Sequence, residues 1–235
     1  MSSLVFPPLM SGQEVEANVD PFENACGRAA LGCDSGLVVY RFDPDWLRAA
    51  IVFAPEVPLE DAVVMMPACG VGFQNALGAL APPEVAVHLE WSGGIRVNGA
   101  ACGRLRMAAS SKVPSVEPDW LIVGIEIPLL PAGDSPGNDP ARTTLFEEGC
   151  AEVEPPRLLE SWTKHTLVWI NRWVGEGVEP LHEAWRGLAH NMGEETAELG
   201  HSGVFLGVDE RFGMLLRKGD DTDLLPLTLL LEGEE

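Results

Sequence analysis

Lysine is nearly absent from this chain: Lys112, Lys164 and Lys218 are the only three in 235 residues. Acidic side chains number 36 against 15 lysines and arginines, a formal charge of −21. Such a surface repels nucleic acid, because affinity for phosphate backbones comes from neutralisation by Lys and Arg. It also repels an anionic membrane face, so neither nucleic acid nor membrane is an expected partner. Long apolar runs are missing too. Stretches such as 121–125 fall far short of the ~20 residues that cross a bilayer. No basic segment followed by an apolar core opens the chain, so no secretory signal is expected and the expected compartment is the cytoplasm. The five cysteines, Cys26, Cys33, Cys69, Cys102 and Cys150, are scattered and form no C-x-x-C pair. They read as small buried apolar side chains rather than a disulfide framework or zinc site. His165, His182, His190 and His201 show no H-x-x-x-H spacing, so no metal site is expected. There is no G-x-G-x-x-G, and no glycine precedes a lysine, which excludes a P-loop.

What is present is an ordinary core. Apolar residues make up 46% and charged residues 22%, enough to bury a full hydrophobic interior and too apolar for global disorder. The first 20 residues, polar and proline-containing, read as irregular. Asp20-Pro21 then signals a helix start, with Asp as N-cap and Pro at the first helical position, ending at Gly32. Leu37–Phe42 and 49–53 read as strands joined by the turn Asp43-Pro44-Asp45. Residues 58–80 read as a helical stretch that Pro67 should kink, with Gly70 and Gly72 marking close packing. Strands follow at 85–91, 95–97, 102–109 and 120–127, with turns at 92–94 and at Asn98-Gly99, the latter a type I′ signal. Residues 131–140 read as a loop. A helix over 156–174 carries Leu159, Trp162, Thr166, Trp169 and Trp173 on one face, a core stripe, and a second helix spans 180–190. Period two returns at 203–208, 213–217 and 224–231, a small all-β unit. The expected class is α+β, a mixed or antiparallel central sheet covered by helices on one side, with no internal repeat.

The segment 88–105, H-L-E-W-S-G-G-I-R-V-N-G-A-A-C-G-R-L, resembles the core of biotin protein ligases. The pattern there is K-W-P-N-D, an aliphatic residue, a strand, an N-G turn and a G-G-I-L-type strand. Trp91, Ile95, Asn98-Gly99 and Gly103 fall in register with it. Val123-Gly124-Ile125-Glu126-Ile127 resembles the V-G-I-G-I strand that follows. Residues 203–216, G-V-F-L-G-V-D-E-R-F-G-M-L-L, are similar to the G-x-x-x-G-I-D-x-x-G-x-L-L tail of the biotin/lipoate ligases. The resemblance implies a ligase-like domain over 1–195 and a small SH3-like β module over 196–235, as a monomer or homodimer. It implies a chemistry as well: Mg-ATP activates biotin or lipoate to an acyl-adenylate, and the acyl group passes to a lysine of a carrier-protein domain. That reaction joins an anionic acid to an anionic triphosphate and needs preorganised cations.

Here the cations are thin. Glu90 stands where the family has its lysine, and Gly94 where it has the motif aspartate. The basic glycine-rich loop is replaced by residues 40–48, in which only Arg41 and Arg48 are basic and Asp43 and Asp45 are acidic. The resemblance assigns ligand binding to Arg41, Trp91, Gly93, Gly94, Arg96, Asn98, Gly103, Arg104 and Arg106. Arg104 and Arg106 share a strand face at period two. Trp91 packs either on a ligand ring or in the core; the sequence leaves both open. Lys112 is a candidate catalytic cation and Cys102 a candidate nucleophile, as in some octanoyl transferases of the superfamily. Two readings stay open. One is a divergent ligase or acyltransferase using ATP and Mg on a biotin- or lipoate-like acid. The other is a binding module of the same fold that has lost adenylation. Both expect a groove between residues 40–48 and the strands around Trp91 and Gly103, its pocket touching at least two of Trp91, Gly103 and Arg104.

Overall fold

The computed structural model describes residues 4–131 and 140–233; most of the loop read at 131–140 therefore lies outside the described residues. Seven strands form the main sheet: β1 (Ser11–Glu14), β2 (Leu37–Phe42), β3 (Trp46–Phe53), β4 (Val87–Leu89), β5 (Gly94–Val97), β6 (Ala100–Ala109) and β7 (Leu121–Pro128). Their order is β1-β2-β3-β7-β6-β5-β4. β1 runs parallel to β2 and every other pairing is antiparallel, so the sheet is mixed. The segment read as irregular before residue 20 thus supplies an edge strand.

Helix α1 (Pro21–Ala30) crosses from β1 to β2, and its start is as read: Asp20 caps it by accepting from Phe22 N at 2.8 Å. A parallel crossover must carry its helix on one face of the sheet. Phe22, Ala25 and Ala29 accordingly pack on Val39, Ala50, Val52, Ala108 and Ile122. The expectation that helices cover one side only is corrected here. Val38 and Val39 point to opposite faces and both are 0% exposed, so the sheet centre is buried twice.

The larger core lies on the other face, under α2 (Leu59–Ala62), α3 (Met65–Gly78), α4 (Pro155–Glu176) and α5 (Glu179–Leu188). The break in the 58–80 stretch falls at Val63 and Val64, not at Pro67. Pro67 sits in the first turn of α3, where a missing N–H leaves no helix bond unmade. The predicted close packing is real. A Cβ on Gly72 would come within 2.7 Å of Thr166 Oγ1 and 3.0 Å of Thr166 N, so glycine lets α3 and α4 approach. The tryptophan stripe of α4 lies against α3: Trp162 Nε1 donates to Cys69 O at 3.0 Å and Trp169 Nε1 to Asn75 Oδ1 at 2.7 Å.

A separate four-stranded antiparallel sheet follows: β8 (Glu195–Glu198), β9 (His201–Val208), β10 (Met214–Lys218) and β11 (Asp221–Leu225). The single strand read at 224–231 is instead the end of β11, Pro226, and a 3-10 turn over Leu227–Leu230. Proline cannot continue the ladder. Phe205, Phe212, Met214 and Leu216 join this module to the main core. Among the described residues no helix is long and apolar enough to cross a membrane.

Candidate functional site

On the α1 face, the register of four adjacent strands sets Arg41, Arg48, Glu126 and Arg104 directly across from one another, in one row. Arg106 follows two residues along β6, over the Phe22 ring at 4.2 Å. The register thus brings Arg41 to the same surface as Arg104 and Arg106, the two that period two had put on one face. Their charge is already answered. Arg41 and Arg48 both reach Asp43, at 2.7 and 2.5 Å, and Arg41 also donates to Val19 O. Arg104 pairs with Glu126 at 2.9 Å. Arg106, its side chain 10% exposed, meets Glu232 at 2.7 Å, Glu23 at 2.9 Å, Asp20 at 3.0 Å and Glu126 at 3.3 Å. Its hydrogen bond to Glu232 holds the guanidinium further above its ordinary pKa. Four guanidiniums face five carboxylates, so the row offers no surplus positive charge.

In the motif loop Trp91 takes the core position of the two left open. Trp91 is 3% exposed, and its Nε1 donates to Phe212 O at 2.8 Å across to the β module. Trp185 meets the Phe212 ring edge-on at 5.9 Å. The indole is thus a core contact, and the cavity beside it measures about 10 Å³, the space of one water. That cavity touches Trp91 but neither Gly103 nor Arg104, and Phe212 is one of its walls. Glu90 pairs with Arg96 at 2.5 Å, and Arg96 also donates to Gly99 O. A Cβ on Gly94 would collide with Glu90 Oε2, so the two motif departures occupy one space. Gly93 and Gly103 adopt φ of +95° and +114°, and a Cβ on Gly103 would strike Glu126 O. Asn98 (φ 49°) and Gly99 (φ 93°) make the predicted hairpin turn. Asn98 accepts from Ala86 N and donates to Glu148.

Cys102 is fully buried, and burial, with Glu148 and Cys150 adding to it, pushes its thiol up to about 12. A nucleophilic cysteine needs the opposite shift, so the candidate nucleophile is withdrawn. Cys26 and Cys33 are partly buried, packed against the α1-face core, rather than fully buried.

Lys112 lies elsewhere, at a cleft of about 600 Å³ where α1 meets the ends of β6 and β7. Phe22, Cys26, Ala108 and Trp120 give it apolar walls, and Ser110, Ser111, Lys112, Glu23 and Glu232 a polar rim. Lys112 Nζ donates to Gly233 O at 2.5 Å. The sequence hinted at this cleft only through Phe22 and Cys26, one helical turn apart at the start of α1. A more open groove of about 690 Å³, lined by Phe6, Leu80 and Lys164, lies beside α4 on the far side of the sheet from the arginine row.

Residues 6–187 match the model of the biotin/lipoate A/B protein ligase family, and residues 192–233 match a domain of unknown function (DUF4444). A biotin protein ligase-like protein of unknown function from Silicibacter sp. TM1040 is 60% identical, with a TM-score of 0.94 over 98% of this chain and 100% of that one. The biotin protein ligase of Aquifex aeolicus is 16% identical with a TM-score of 0.72, over 94% of this chain and 96% of its own. The same ligase in complex with biotin and ATP gives a TM-score of 0.70 at 16% identity, over 93% and 96%. No curated protein matches the chain. With the family model spanning most of its length, and the sheet, helices and β module in the expected order, the chain belongs to the biotin/lipoate A/B protein ligase family.

Proposed function

We propose that this protein is a non-adenylating member of its family, a binding module that takes a small carboxylic acid with an apolar body into the α1 cleft. The observation that carries this reading is the neutralisation of the arginine row. Arg41, Arg48, Arg104 and Arg106 each hold a carboxylate of the chain itself, and Arg96 holds Glu90. A triphosphate needs uncompensated cations at the point where charge accumulates, so the residues present do not fit Mg-ATP. Without an adenylate, transfer to a carrier-protein lysine has no activated donor. The cleft itself suits an acid of the biotin, lipoate or octanoate kind. Phe22, Ala108 and Trp120 cover an apolar body, and Ser110, Ser111 and Lys112 offer donors for its carboxylate.

The test is a pair of measurements on the purified protein. A ligand that binds only the folded state raises its stability by mass action, ~2.7 kcal/mol at a hundredfold excess over Kd. Octanoate, lipoate or biotin alone is expected to raise the melting temperature, ATP to leave it unchanged, and acid-dependent pyrophosphate exchange to stay at background. Robust exchange would refute the reading, as would a melting temperature indifferent to all three acids.

A further inference from the structure

After the 3-10 turn the chain returns to the main sheet. Leu231 bridges Met107 on β6, and Glu232 N donates to Met107 O at 2.8 Å. The Glu232 carboxylate then grips Arg106 at two nitrogens, Nε at 3.0 Å and Nη2 at 2.7 Å. The next carbonyl, Gly233 O, takes Lys112 Nζ. Residues 231–233 thus hold both cations nearest the cleft, and Glu232 is itself part of the cleft wall, beside Glu23.

The seated segment sets the electrostatics of the cleft. With the segment seated, two carboxylates of the cleft face one ammonium, and an anionic acid is repelled. With Glu232 gone, Arg106 still holds Glu23, Asp20 and Glu126, but its Nε is freed and one negative charge leaves the cleft, so the repulsion of an anion is relieved. Arg106 would stay in place through the change, because it stacks on Phe22 and keeps Asp20 and Glu126. Exchanging one carboxylate for another on a two-nitrogen grip leaves no charge unpaired, the condition that makes replacement inexpensive. The segment is anchored at Leu231, 8% exposed in the core, and open beyond it: the Glu232 side chain is 41% exposed, and its backbone meets β6 through one hydrogen bond.

We propose that Glu232 is an internal stand-in for the ligand's carboxylate. An acid entering the α1 cleft displaces Glu232 and Gly233, Leu231 staying in the core, and takes over Arg106 and Lys112. The inference rests on the acid-binding reading above, which it extends to how the site is gated. A site competent only when the segment is displaced binds more weakly by the fraction of time it is displaced.

Octanoate is the probe. Its affinity is measured by calorimetry for the native protein, Glu232→Gln and Glu232→Ala, with each variant's fold checked by circular dichroism. Hydrogen exchange of the segment is followed in the native protein with and without saturating octanoate. The expected result is binding about tenfold tighter or more in both variants, and faster exchange at Glu232 and Gly233 when octanoate is bound. Equal affinity in all three proteins, with exchange unchanged, overturns the gating and leaves acid binding standing. If native and both variants all fail to bind, the acid-binding reading falls and the gating with it. Two variants guard against one failing to fold, and the exchange measurement needs neither.

Discussion

Glu90 and Gly94 are best probed together, because the carboxylate of one fills the space beside the other. Gly94 lies outside the left-handed region, so its backbone accepts a side chain, but a Cβ there collides with Glu90 Oε2. Gly94→Asp must therefore expel the Glu90 carboxylate from Arg96, its partner at 2.5 Å, and set a second carboxylate beside it. Two like charges ~4 Å apart repel by ~4 kcal/mol at an effective dielectric of about 20. The Arg96 and Glu90 side chains are 25% and 29% exposed, so solvent and salt reduce the cost to about 1–2 kcal/mol. Glu90→Lys should cost a similar amount, since it replaces an attraction to Arg96 by a repulsion. In the double variant the introduced charges are opposite and adjacent, and the collision is removed. Urea denaturation of the native protein, both single variants and the double variant should give a coupling of at least about 1.5 kcal/mol in the stabilising direction. Additivity within about 0.5 kcal/mol would show that the two positions do not share one space. Pyrophosphate exchange should remain at background in all four proteins, because the arginine row is untouched.

Two further outcomes are expected. Trp91→Phe removes the donor to Phe212 O and should cost about 1–2 kcal/mol in urea melts while leaving octanoate affinity unchanged; a weakened affinity would relocate the ligand to the motif loop. Burial raises the carboxyl pKa of Glu198, partly opposed by its hydrogen bond from Ser92, so the folded state favours the protonated form. The stability this contributes is present below the unfolded pKa and is lost as pH rises through the raised folded value. Glu198→Gln should therefore raise the melting temperature relative to native at pH 7.5 and change it little at pH 4, and an equal difference at both pH values would contradict the assignment.

The elements with strong local signals were legible in sequence. Asp20-Pro21 announces α1, Asn98-Gly99 its hairpin, and the spacing of Trp162, Thr166 and Trp169 the buried face of α4. What escaped was short, polar or conditional on distant partners. β1 and β8 have four residues each, and their sequences S-G-Q-E and E-T-A-E carry no apolar alternation; tertiary pairing alone makes them strands. At the site, period two correctly put Arg104 and Arg106 on one face. Nothing local reveals that the partner of Arg106 lies 126 residues away at Glu232, or that Phe212, 121 residues from Trp91, takes the hydrogen bond of its indole. Residue types at the motif positions were readable; whether each cation is free depends on contacts that only the fold brings together.

The ion pairs also govern how anything negatively charged arrives. At least eight of the fifteen cations, Arg41, Arg48, Arg96, Arg104, Arg106, Arg157, Arg172 and Arg211, sit against carboxylates, while the chain as a whole carries −21. An approaching anion, whether a free acid or an acidic protein surface, meets a repulsive far field and finds attraction only at contact. Long-range fields set encounter rates, and they fade beyond about 8 Å at physiological ionic strength. Association with such a partner should therefore quicken as salt is added, the reverse of an electrostatically steered encounter, and dissociation should be comparatively indifferent to it.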